Sequence, residues 1–197
     1  MPTLTLTGDP DADRLLSDNA FALLVGMLLD QQIAMEQAFV GPRRLEERLG
    51  RPLTPANLAA VDPDELERLF RISPAVHRYP GSMAKRVHAL ATTLVERHDG
   101  DTEALWREVP DGRTLRERLK DLPGFGDQKA RIFVALLGKQ CGVTPDGWRE
   151  AAGDYGQDGR RSIADVVDAD TLLEVRAFKQ ARKAEAKAVK TGSAANG

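Results

Sequence analysis

Residues 122–137 read LPGFGDQKARIFVALL. Pro123 stops any helix that runs into it, because its ring lacks the amide donor and restricts the residue before it. Gly124 and Gly126 bracket Phe125, and both can take positive φ and leave their amides unobstructed. Beyond Asp127, residues Ala130, Phe133, Val134 and Leu137 fall at i, i+3, i+4 and i+7, one apolar face of a helix. The stretch is therefore helix, tight turn, helix. The free N–H groups at the start of the second helix point the same way as the loop amides. Such a corner suits an oxygen anion, a DNA phosphate among the candidates. A dinucleotide fingerprint is excluded, since Lys129 stands where its last glycine belongs and no strand precedes it. The GxxxxGK[ST] phosphate loop is absent. A plain helical corner, with glycine for geometry alone, accounts for this segment equally well.

Outward from the hairpin, the pattern is helical almost throughout, and the fold class expected is all-α. Asp9 before Pro10 can start a first helix. Residues 21–29 are apolar nearly all round, which predicts a helix buried on most sides. A helix over 35–49 carries Gly41-Pro42, where a bend is expected. Thr54-Pro55 and Asp62-Pro63 each place a capping residue before proline at the first helical position, opening two short helices. Prolines and glycine make 72–81 a loop. Val87, Leu90, Ala91, Leu94 and Val95 then form one stripe of a helix ending at Gly100. Thr102 can cap a helix over 103–109, and a further helix over 114–120 leads to the hairpin. Residues 142–159 are loop-rich, with one turn at 148–152. Ser162 can cap 163–167, and Asp168 opens a last helix. LTLT at 4–7 alternates over too few residues to predict a strand. Residues 191–197 (TGSAANG) are expected to be disordered.

The chain has 197 residues, 42% of them apolar, enough for a real core. Its longest uncharged apolar run, at 19–29, falls short of the roughly 20 residues of a membrane span. The acidic flanks of the N-terminal segment argue against a signal peptide. The single cysteine, Cys141, excludes an intrachain disulfide, a cysteine-ligated iron–sulfur cluster and a cysteine-rich zinc site. A cytoplasmic protein is expected. From Arg176 onward six basic residues face one acid, Glu185, so this segment carries +5 and the rest −7 of a formal net charge of −2. The organisation expected is a domain over 1–175, with its hairpin motif at 114–138, and a basic C-terminal tail over 176–197. An acidic body is not by itself the footprint of a nucleic-acid binder.

LPGFGDQKA, flanked by two amphipathic helices, resembles the helix-hairpin-helix motif of the base excision DNA glycosylase superfamily that includes endonuclease III and 3-methyladenine DNA glycosylase II. Three upstream stretches fit in the same order: NAFALLVGMLLDQQIA, TPANLAAVDPDELERLF and YPGSMAKRVHALATTLVERHDG. Together with the hairpin they make the resemblance specific over 19–153. It implies a two-lobed helical fold with a cleft between the lobes. It also implies an enzyme that cuts the bond between a flipped-out damaged base and its deoxyribose.

Residue by residue, the resemblance carries the family's catalytic aspartate onto Asp146, 18 positions after Gln128. A fixed carboxylate there would stabilise the oxocarbenium-like transition state and orient or deprotonate the nucleophile. Asp146 could equally be a helix cap. Gln128 occupies the position where bifunctional members carry a Schiff-base lysine, and an amide cannot form that adduct. The resemblance thus implies a monofunctional hydrolase with water as nucleophile. Lys129 is rotated ~100° from Gln128 on a helix and is expected to face phosphate or solvent. Leu122, Gly124, Phe125, Gly126, Gln128 and Lys129 form the implied DNA-docking hairpin, although Asp127 places a repelling charge beside it. Gln32 falls on the polar wedge that fills the gap left by an extruded base, or else caps neighbouring amides. Trp148 could stack on a base or belong to the core. His77, His88 and His98 lack metal-ligand spacing.

No cofactor is implied, apart from a possible monovalent cation held by hairpin carbonyls. The partner implied is duplex DNA containing a damaged base, with no membrane, and a monomer is expected. The iron–sulfur cysteines that follow the catalytic region in many endonuclease III relatives are absent, and the basic residues of the tail, Arg176 to Lys190, are expected to replace the electrostatics of that loop. Two other readings stay open: an inactive module that recognises bent or damaged DNA, and a helical protein-interaction domain.

Overall fold

The computed structural model describes residues 3–194 of the chain, and among them there are ten α-helices and no strand. The all-α class follows. Helix α2 (Ala20–Leu29) is the centre of the fold, with nine of its ten residues buried. Helix α1 (Pro10–Asp18) precedes it, capped by the Asp9 carboxylate, which accepts from the amides of Asp11 and Ala12. The LTLT segment is held without strand pairing. Its amides at Leu4 and Leu6 donate to Ser17 Oγ and Asp13 Oδ1, and Leu4 and Leu6 are buried.

Helix α3 (Met35–Leu49) contains Pro42 in its interior and packs closely on α2. A Cβ at Gly26 would lie 2.6 Å from the Phe39 ring, and one at Gly41 would lie 2.6 Å from Leu29 Cδ1. Helices α4 (Pro55–Ala59) and α5 (Pro63–Arg71) start at the predicted prolines, with Thr54 and Asp62 as side-chain caps. Both lie against α6 (Pro80–His98). That helix begins two residues before the predicted loop ends, because Pro80 is tolerated at a first helical position. Residues 102–105 form a short 3₁₀ turn capped by Asp101, where a longer helix capped by Thr102 was expected.

Helix α7 (Gly112–Lys120) leads into the hairpin, and α8 (Asp127–Gln140) leaves it. Helix α9 (Trp148–Ala152) and the 3₁₀ turn Gly153–Gly156 pack on α8. Ser162 and Asp165 form a capping box around a second 3₁₀ turn, Ile163–Asp165. Helix α10 (Ala169–Ala194) starts after Asp168, whose carboxylate accepts from the Thr171 amide. Residues 191–194, expected to be disordered, continue this helix, and 195–197 lie outside the described residues. No described helix is long and apolar enough to cross a membrane.

Candidate nucleic-acid interface and active site

The hairpin sits directly above the central helix. Gly124 has φ +80°, and a Cβ there would lie 2.5 Å from Leu28 Cδ1, so its glycine serves both turn and packing. Gly126 is different: its φ is −94°, and nothing lies within 4 Å of an added Cβ. It is the open N-cap of α8, without a side-chain cap. Among the described residues, the amides of Gly124, Gly126, Asp127 and Gln128 find no acceptor. Leu122 and Phe125 turn their side chains into the core, where the Phe125 ring meets Phe133 edge to face. They build the turn, and their amides are already bonded, Leu122 to Leu119 O and Phe125 to Leu122 O, so neither side chain nor amide is free for a ligand. The charge of Asp127 is not free either. It pairs with Arg116 and, at 2.9 Å, with Arg131, and the Arg116 hydrogen bond holds its pKa below the usual carboxylate range.

One step along, Lys129 turns away from solvent, contrary to expectation. Its ammonium donates to the carbonyls of Met27, Leu28 and Asp30 at 2.6, 2.7 and 3.2 Å. These are carbonyls at the end of α2, of the kind a helix leaves without partners. Burial lowers the Lys129 pKa to about 8. Around the same corner, Gln31 Nε2 donates to Leu28 O at 2.9 Å, and His77 Nε2 lies 3.0 Å from Gln31 O. Because His77 Nδ1 accepts the Tyr79 amide, the ring proton resides on Nε2. His77 is thus a satisfied interior histidine.

This fastening presents Gln32. The residue is exposed, sits at φ +58°, and its side chain makes no hydrogen bond among the described residues. The capping reading belongs to Gln31, its neighbour. A non-glycine residue held in the left-handed region costs about 1–2 kcal/mol, and such strain tends to gather at functional sites.

Gln32 opens onto a cavity of about 1120 Å³ that also receives Gln128 and Lys129. The Gln128 amide donates to Tyr155 Oη at 2.9 Å. The far wall is α10, through Phe178, Lys179 and Arg182. Helix α10 is tied across by Arg176 to Glu36 and by Lys179 to Asp30 at 3.4 Å. Lys183, Lys187 and Lys190 of the basic tail have side chains outside the described residues. The lining holds six cations (Arg78, Lys129, Arg131, Arg161, Lys179, Arg182) and three carboxylates (Asp30, Asp127, Asp154). This is a positive concavity in a chain with a net charge of −2.

Asp146 and Trp148 do not join this group. Asp146 is exposed, its carbonyl accepts from the Gly112 amide at 2.7 Å, and it is not among the residues lining the cavity. The loop just before it, Val143 to Pro145, lines a separate 430 Å³ cavity with Leu16, Leu23 and Trp106. The Trp148 ring lies on α8, where a Cβ at Gly138 would come within 2.4 Å of it, and Arg149 covers its other side at 4.6 Å. Sequence reasoning passed over Arg78, Arg161 and Asp154. The one legible signal was the glycine-bracketed GDYG turn, which resembles the hairpin in holding polar residues on a stiff corner.

The family model described as HhH-GPD superfamily base excision DNA repair protein matches residues 25–192 of this chain. Comparison with curated proteins and with solved structures returned no match.

Proposed function

Because the chain belongs to the HhH-GPD superfamily of base excision DNA repair proteins, we propose that it is a DNA glycosylase. In this reading it hydrolyses the glycosidic bond of a damaged base turned out of duplex DNA. The extruded nucleotide enters the 1120 Å³ cavity between the α2–α3 corner and the start of α8, as in the two-lobed arrangement the resemblance implies. The observation that carries the reading is the composition of that cavity. Six cations against three carboxylates line it together with Gln32 and Gln128, an excess of positive charge in a chain whose formal net charge is −2. Positive charge in a concave wall raises the local concentration of a polyanion and speeds its capture. The free amides at the open end of α8 add a phosphate anchor. Pairing with Arg116 and Arg131 removes the objection raised by Asp127.

Water is the nucleophile. Gln128 has no amine, and the Lys129 amine, at the cavity wall, is held by three carbonyls at the end of α2. Gln32, strained and unbonded, acts as the wedge that replaces the extruded base in the stack. Alkylated purines are the first substrates to test. Duplex oligonucleotides carrying several lesions are incubated with the protein, and abasic sites are counted. Base release without strand cleavage, and no adduct on borohydride trapping, is the expected result. A trapped adduct that disappears in Lys129→Ala overturns the assignment of water as nucleophile.

One observation favours a second reading, in which the protein binds damaged DNA without chemistry: Asp146 lies off the cavity. Under that reading lesion-containing duplexes bind, but no lesion yields an abasic site.

A further inference from the structure

Base release places a demand on the cavity wall. As the C1′–N bond breaks, its electron pair leaves with the base and positive charge builds on the sugar. A carboxylate fixed beside the ring stabilises that charge and takes a proton from the attacking water. Three carboxylates line the cavity. Asp30 has a side chain only 10% exposed and is paired with Lys179 at 3.4 Å. Asp127 is paired with two arginines. Asp154 is exposed, and among the described residues it has no cationic partner. It is the carboxylate left available to a cationic sugar.

Its mounting is stiff on both sides. Gly153 holds φ +61°, and a Cβ there would meet Arg131 Nη1 at 3.2 Å, so the turn lies close against α8. Tyr155 accepts from Gln128, the residue at the position of the family's nucleophile, at 2.9 Å. Gly156 is buried, its carbonyl accepts from Arg149 at 2.6 Å, and a Cβ would collide with Arg149 O at 2.3 Å. The turn thus fixes the backbone from which the Asp154 carboxylate projects, the part of preorganisation that the main chain supplies.

We propose that Asp154, on the cavity wall beside Gln128 and Tyr155, is the catalytic carboxylate of this protein in place of Asp146. In the step, the C1′–N bond breaks with both electrons going to the base. Water oxygen bonds C1′ and gives its proton to the Asp154 carboxylate; a cationic N-alkylpurine leaves as the neutral base, whereas a base that is uncharged in the duplex leaves as an anion and takes a proton from solvent. Asp154 then returns its proton to solvent. The assignment rests on the glycosylase reading.

The experiment compares single-turnover base release by wild type, Asp154→Asn, Asp154→Glu and Asp146→Asn on the lesion duplex that wild type processes. Binding of the same duplex is followed by fluorescence anisotropy. Asp154→Asn is expected to lower the single-turnover rate by at least about 100-fold, with a Kd within about twofold of wild type, since it removes transition-state rather than ground-state interaction. Asp154→Glu is expected to recover part of the rate. An Asp154→Asn variant that releases base at the wild-type rate overturns the assignment, as does activity lost only in Asp146→Asn. If wild type releases no base from any lesion, the glycosylase reading itself fails and the assignment falls with it. That outcome is distinguished from the others by the inactive wild type.

Discussion

Gly124→Ala and Gly126→Ser, two residues apart in one turn, should have opposite consequences for stability. At Gly124 the backbone is left-handed, and an alanine held at φ +80° costs about 1–2 kcal/mol. The new Cβ would also lie 2.5 Å from Leu28 Cδ1. Leu28 is fully buried on the central helix and has little room to yield, so overpacking adds about 1–3 kcal/mol. The expected loss is roughly 2–4 kcal/mol, taking the lower part of each range as the neighbours relax. At Gly126 the φ is −94° and the space around a Cβ is empty. Serine there can accept from an amide of the first turn of α8, so stability rises by a few tenths of a kcal/mol. The same hydroxyl occupies an amide that the proposed function gives to a DNA phosphate, so duplex binding weakens. Urea denaturation gives the stabilities, and anisotropy titration with labelled duplex gives the affinities. An unaltered stability in Gly124→Ala would refute the packing argument. A Gly126→Ser protein that binds DNA as tightly as wild type would refute the phosphate anchor.

Three further outcomes are expected. Lys129 should leave a pH signature. Below pH 8 folded and unfolded chains both hold its proton, and the folded state bears the cost of burying it. Between about 8 and 10.5 only the unfolded chain keeps it, so stability rises with pH relative to Lys129→Met, by roughly 3 kcal/mol in all; a flat difference from pH 7.5 to 11 contradicts the burial. Replacing Arg161 or Arg182 by Gln should reduce the slope of log affinity against log salt by about 1 for each phosphate left unneutralised, and an unchanged slope removes that arginine from the DNA path. Gln32→Gly relieves about 1–2 kcal/mol of backbone strain, of which unfolded-chain entropy takes back roughly 0.4–1. Stability should therefore not fall, while base release drops at least about tenfold, and full activity contradicts the wedge role.

Helix positions were legible wherever local chemistry decided them. Proline after Thr54 and Asp62 set two helix starts, and the apolar run at 21–29 identified the buried centre. Where a choice lay between similar local signals, the sequence misled. Asp101 rather than Thr102 caps the turn at 102–105, since both can accept and only the chain direction selects one. The family motif singled out Gln32 and Gln128, and both line one cavity. The aspartate motif gave a spacing but not a direction. In the structure, the Asp146 carbonyl is tied to the Gly112 amide, a long-range pairing invisible in any local pattern. Arg78, Arg161 and Asp154 come from three separate loops or turns far apart in the chain, and only the tertiary fold brings them to one cavity. The expectation for Lys129 fails because helical rotation says which way a side chain leaves its helix, not which carbonyls wait there.

The central claim is that the cavity shared by Gln32 and Gln128 receives a nucleotide drawn out of duplex DNA. It is tested most directly by the crystal structure of the protein bound to a duplex containing a stable abasic-site analogue. The account predicts the extruded sugar inside the cavity, Gln32 in the gap it left, and a neighbouring phosphate on the free amides of Gly124, Gly126, Asp127 and Gln128. A duplex bound on another face, with the cavity empty and Gln32 in solvent, would contradict it.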